Sequence, residues 1–253
     1  MRLQRFLSQA GVASRRTAEQ LILSGRVSVN GQRIDKLGSS VSEADLVRMD
    51  GKQVKISPDR VYLALNKPTG VVTTLRDPQG RRTVADLVPK GVMRVVPVGR
   101  LDYDTSGLLL LTNDGDLAHV LTHPRYGVEK TYRAVVAGRL APSDIVRLQE
   151  GIKLEDFRAG PAKLRVVAAK ADRSVIDISI HEGRKRQVRR MLEALGHPVR
   201  TLERRKFGPV SLGSLGPGRV RSLTPKEIAA LRALVTKCGP QWSSSPRFRK
   251  NIG

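Results

Sequence analysis

The chain holds a single cysteine, Cys238, among 253 residues, which excludes an internal disulfide and a thiolate metal cluster. Aromatic residues make up only 4% of it. That argues against the wide stacking platforms on which single strands are held without sequence preference. No apolar run approaches the ~18 residues a membrane-spanning helix needs, and the N-terminus lacks the apolar stretch of a secretory leader. A cytoplasmic protein without membrane contact is therefore expected. The four histidines, His119, His123, His181 and His197, include one pair four apart, but Thr122 and Pro124 end that segment, so no metal site is expected. Acidic residues are also scarce, 23 against 46 basic ones, for a net charge of +23. A polyanionic partner, RNA or DNA, explains that excess best; a solvated basic surface or an anionic membrane contact is the plainer alternative.

Residues 1–54 read as a compact unit. Leu3, Phe6, Leu7 and Ala10 fall at helical spacing before Gly11. Ser14 is placed to cap a second helix with Ala18, Leu21 and Ile22 on its apolar stripe, and Gly25 to end it. Val27–Val29 runs into Asn30-Gly31, a strong hairpin signal, and Val47–Met49 turns at Asp50-Gly51. Arg5, Arg15 and Arg16 should face outward. Residues 55–60 read as a linker and 237–253, rich in Gly, Pro, Ser and basic residues, as a disordered tail in which Trp242 could stack on a base.

The stretch on which residues 61–236 are organised is GRLDYDTSGLLLLTNDG, Gly99 to Gly115. Four leucines bounded by turn residues indicate a buried strand, and the loop before it carries Arg100, Asp102 and Asp104. Polar groups on a loop braced by a rigid element are where active sites tend to lie. Farther on, Lys130-Thr131-Tyr132 opens a strand, Pro142 opens a helix, and Ile176, Ile178 and Ile180 alternate as in a strand with one buried face. In HEGRKRQVRRMLEALGHPV, Val188, Met191, Leu192 and Leu195 are spaced to face the core, leaving Arg186, Gln187, Arg189 and Arg190 for other faces. Residues 184–206 hold nine basic residues against two acidic ones. Thr224 to Glu227 is a capping box opening a last helix.

The Gly99–Gly115 motif resembles the signature of the RNA pseudouridine synthases, and most of all their bacterial ribosomal group, the set that includes small-subunit synthase A, on its large-subunit branch. FLSQAGVASRRTAEQLI and GRVSVNG resemble the alpha-L RNA-binding domain of ribosomal S-four-like modules, in which Arg15, Arg16 and Arg26 would meet RNA phosphates, with Arg5, Arg186 and Arg190 as further RNA contacts. The resemblance implies an α+β fold: a small RNA-binding domain, then a catalytic domain on a mixed, mainly antiparallel sheet. It implies a monomer that isomerises a uridine of ribosomal RNA, of the large subunit, without a cofactor.

The chemistry fits those residues. Uracil must leave C1′, turn, and rejoin through C5, which needs a carboxylate at the ribose and a flipped-out base. By resemblance Asp102 is the catalytic aspartate, and Arg100 accompanies base flipping. Tyr132 stacks on the base and serves C5 deprotonation. Arg189 pairs with Asp102, Val188 lines the base pocket, and Arg184 lies beside the substrate. Arg184 and Arg186 are rivals for the pairing role, and Asp104 reads as structural. Without the motif Asp102 would pass for a turn residue, Tyr132 for a core tyrosine and Arg189 for a surface charge. A non-catalytic ribosome-assembly factor on the same fold, and more remotely a glycoside hydrolase using Asp102 and Asp104, are the competing readings.

Overall fold

The computed structural model describes residues 1–237; Cys238, Trp242 and the expected basic tail lie outside the described residues. Contacts divide the chain into two units, residues 1–61 with Met93–Val95 and Asn113–Gly115, and the remainder.

In the first unit, α1 (Leu3–Gln9) and α2 (Arg15–Leu23) precede four short strands, β1 (Val27–Val29), β2 (Gln32–Ile34), β3 (Val47–Met49) and β4 (Lys52–Gln53). Ser14 caps α2 by accepting a hydrogen bond from the Thr17 amide at 3.1 Å. The strands form one sheet in the order β2-β1-β3-β4. Both hairpins turn where the sequence suggests, with Asn30 and Gly31 at φ 52° and 86° and Asp50 and Gly51 at 48° and 77°. Leu3, Phe6, Leu7, Ala18, Ile22, Val27 and Val47 form the core. Arg5, expected to face outward, is only half-exposed, because its helix position lies beside the buried Phe6 stripe.

The second unit is built on a nine-stranded sheet. Its strands are β5 (Tyr62–Lys67), β6 (Val96–Pro97), β7 (Ser106–Thr112), β8 (Lys130–Ala137), β9 (Lys163–Ala169), β10 (Arg173–Ile180), β11 (Val199–Phe207), β12 (Val210–Ser211) and β13 (Val220–Ser222). Four helices accompany them: α3 (Gly115–Thr122), α4 (Pro142–Glu150), α5 (Gln187–Glu193) and α6 (Pro225–Lys237). The main path runs β13-β5-β7-β11-β8-β10-β9, with β6 on β7 and β12 on β11. The β7–β11 pair is parallel and the other pairs are antiparallel, so the sheet is mixed and mainly antiparallel. Leu108 to Leu111 are all buried, as a strand covered on both faces requires.

Strand β11 has no counterpart in the sequence reading, which took residues 184–206 as a basic segment. Its register shifts between Val199 and Thr201 and again between Arg204 and Lys206, so the two-residue alternation that marks a strand is broken twice. Its direction matters at Gly107. That residue has φ 102°, and a Cβ there would collide with the Arg204 carbonyl oxygen and amide nitrogen, so the TSG glycine is what lets β7 and β11 run side by side.

Candidate active site

The loop before β7 is fixed by its backbone. Thr73 donates its hydroxyl to the Leu101 carbonyl at 2.7 Å and accepts from the Leu101 amide at 3.2 Å. The Gly70 amide bonds the Tyr103 carbonyl at 2.9 Å, and the Thr105 amide closes a turn on the Asp102 carbonyl at 3.1 Å. Leu101 is thereby buried, and Asp102 is delivered to the wall of a cleft of about 320 Å³. That volume lies at the lower end of the range for small-molecule sites. Besides Asp102, the cleft is lined by Arg100, Lys130, Tyr132, Arg184, Arg186, Val188 and Arg204, among others.

The two loop carboxylates have divided their work. Asp104 is held by Arg186, whose Nη1 lies 3.0 and 2.9 Å from its two oxygens, and by Arg189, whose Nε lies 3.3 Å away. Arg186 and Arg189 keep the Asp104 carboxyl below the ordinary carboxylate range against the opposing effect of burial. Asp104 in turn holds the Arg186 guanidinium above its ordinary range, with a smaller contribution from Asp102. No described residue hydrogen-bonds or ion-pairs with the Asp102 side chain. The expected pairing of Arg189 with Asp102 is thus corrected: Arg189 serves Asp104, donating also to its carbonyl at 2.9 Å and to the Val199 carbonyl at 3.0 Å. The cause is the position of Arg189 on α5, where it is buried rather than turned to solvent, its guanidinium filling the gap between the loop and the start of β11.

The other expected residues separate in the same way. Tyr132 is 8% exposed, and no described residue hydrogen-bonds its hydroxyl. Val188 is buried and lines the cleft beside it. Arg100 is exposed at the cleft wall and without a polar partner among the described residues. Arg184 is exposed and lies over the Phe157 ring at 4.4 Å; Arg190 lies over the same ring at 5.2 Å and is ion-paired with Asp156. Arg186 adopts φ 53° just before α5, a left-handed backbone held in place by its bonds to Asp104. In the first unit Arg15 and Arg16 are exposed at the start of α2, and Arg26 is clamped by Asp50 at 2.9 and 2.5 Å, which leaves it less free for phosphate than expected.

Three cations of the second unit escaped the sequence reading. Lys67, at the end of β5, is fully buried and donates to the Pro68 and Val71 carbonyls at 2.9 and 2.8 Å. Burial pushes its ammonium down to about 8, while Asp102 and Asp104 oppose the fall. Lys130 is pushed down to about 8 by burial and by Arg204. Arg204 is 2% exposed. The one available signal was Lys130, which stands two residues before Tyr132 and so shares its strand face.

Comparison with known proteins agrees with this architecture. Residues 61–194 match the RNA pseudouridylate synthase family and residues 1–47 the S4 domain. An RNA pseudouridine synthase of Aquifex aeolicus is 48% identical over 233 residues, covering 91% of this chain and 93% of its own. The ribosomal large subunit pseudouridine synthase B of Bacillus subtilis is 47% identical over 236 residues, 92% of this chain and 96% of its own. A crystal structure of a pseudouridylate synthase, 33% identical, superposes with a TM-score of 0.67 over 91% of this chain and 99% of that one. With its loop carboxylate in a basic cleft, its mixed sheet and its N-terminal S4 domain, the chain belongs to the RNA pseudouridylate synthase family and is an isomerase of RNA uridines.

Proposed function

We propose that this synthase flips one specific uridine of large-subunit ribosomal RNA into the cleft and isomerises it, with Asp102 as the carboxylate that meets the ribose. The carrying observation is the state of Asp102: a carboxylate on a rigid loop, facing a cleft among cations, with no partner among the described residues to occupy it. Such a group is available to attack C1′ or to take a sugar proton. Tyr132, in the same cleft with an unengaged hydroxyl, suits stacking on the base and work at C5. Val188 closes the apolar side, and Arg100 and Arg184 attend the flipped nucleotide. Arg189 is a positioning residue: through Asp104 and two backbone carbonyls it fixes the loop that carries Asp102.

In the same reading residues 1–54 are an RNA-holding domain joined by a linker, 55–60, to a catalytic domain over 61–236. Arg15 and Arg16 would meet phosphates, with Arg5 and Arg26 in support. The large-subunit assignment is supported by the name of the Bacillus subtilis relative. The protein acts as a monomer in the cytoplasm. Pseudouridine mapping of total ribosomal RNA from cells with and without the protein tests this: one lost large-subunit site is expected, and an unchanged map overturns it. Restoring the gene with Asp102→Asn should leave the site unmodified while the protein still binds RNA, since the change is nearly isosteric.

A further inference from the structure

The floor of the cleft holds cations for which the roles above have no use. Arg204 is almost fully buried; its Nε donates to the Leu108 carbonyl at 2.7 Å, but its Nη2 meets no hydrogen-bond partner among the described residues. Its guanidinium lies 5.0 Å from the centre of the Phe207 ring, and the Lys130 ammonium lies 5.6 Å from the same centre. Arg204 stands opposite Tyr132 in the β8–β11 ladder, and all three residues line the cleft. A buried guanidinium N–H without an acceptor is costly, and a second cation against it adds repulsion. Both costs are relieved when negative charge enters beside them.

We propose that Arg204, assisted by Lys130, binds the uracil once it has left the ribose and holds the negative charge that the broken C1′–N1 bond leaves on it. The inference rests on Asp102 acting at the ribose. When the bond breaks, its electron pair goes to the base, where the charge spreads over N1, O2 and O4. The sugar is meanwhile held by Asp102, either as an ester or after loss of a sugar proton that returns later. The base turns, C5 bonds to C1′, the C5 proton leaves and N1 gains one, so nothing is oxidised and no co-reactant is consumed. Arg204 meets charge that grows only as the bond breaks, so its contact favours the transition state over bound substrate. The same contact keeps the detached base from diffusing away while it turns.

The test uses single-turnover reactions of the full-length protein on the ribosomal RNA fragment that mapping identifies, carrying uridine or 5-fluorouridine at the target. Fluorine withdraws electrons and makes the base a better leaving anion. Loss of the original nucleoside reports cleavage of C1′–N1. Arg204→Gln should slow the uridine reaction about 100-fold, the usual effect of removing one donor to a developing anion. The loss on 5-fluorouridine should be several-fold smaller, RNA affinity should hold, and Arg204→Lys should recover part of the rate. Equal losses on the two substrates overturn the proposal. So does a rate loss that follows weakened RNA affinity, which would assign the cations to a phosphate. If Arg204→Gln does not fold, Lys130→Gln carries the same comparison, and equal losses there overturn it too. Failure of the underlying reading looks different: Asp102→Asn would turn over either substrate.

Discussion

At the scale of single residues, what separates this site from a generic basic surface is the division between Asp102 and Asp104. Asp104 absorbs two guanidinium groups, and Asp102 is left to the cleft. Arg189 is the hinge of that division, because its side chain is 5% exposed, hydrogen-bonds two carbonyls and ion-pairs with the Asp104 carboxylate, which is itself 44% exposed. Arg189→Met should cost about 2–3 kcal/mol in chemical denaturation, as loss of charge-assisted bonds to half-buried carbonyls does. It should lower kcat with little change in RNA affinity. Asp104→Asn should act in the same direction, and the double variant should lose less than the two single losses combined by at least ~0.5 kcal/mol, since both remove one contact. Strict additivity would separate Arg189 from Asp104. The sequence made Asp102, Tyr132 and Val188 legible because a short motif and an apolar spacing carry them. The pairing of Arg189 with Asp102 came from the resemblance, and helical spacing could not check it, because spacing leaves an arginine to face water whereas α5 buries Gln187 and Arg189 along with its apolar stripe.

At the scale of elements, the cleft depends on the parallel seam between β7 and β11. Only Glu203 with Ser106 and Arg204 with Gly107 stand in register there, so the seam is short. Gly107→Ala would place a side chain at φ 102° against the Arg204 backbone. Strained backbone of this kind costs about 1–3 kcal/mol before any collision is counted. The variant is therefore expected to lower the urea midpoint markedly, and to lower activity further by displacing Arg204 from the cleft floor. Gly115→Ala, with nothing near its added carbon and an ordinary φ, should stay within about 0.5 kcal/mol of the parent. Similar effects from the two substitutions would refute the role given to the seam. The tetraleucine strand was readable because both its faces are covered, and the two hairpins because Asn-Gly and Asp-Gly strongly favour the tight turn that joins antiparallel strands. Strand β11 was not, since its bulges erase the alternation and its basic residues imitate a surface.

At the scale of the whole molecule, the net charge of +23 makes RNA binding largely a matter of displaced counterions. Exposed Arg15 and Arg16 give the first unit a share in that term. A truncation that begins after residue 54 keeps Asp59 and Val61, which hold Asn113 through bonds of 3.0 Å to the Asp59 carbonyl and 2.9 Å from the Val61 amide. It also keeps every residue of the nine-stranded sheet and of the cleft. The shortened protein should therefore unfold cooperatively and retain slow turnover on a short RNA fragment, because Asp102, Tyr132 and Arg204 are undisturbed. Its affinity should fall at every salt concentration. The slope of log K against log salt should become shallower by about 1–2, the release expected for two lost phosphate contacts. Parallel slopes for the full and shortened proteins would show that the first unit holds RNA by other than ionic contacts, and a shortened protein that fails to fold would place the domain boundary elsewhere.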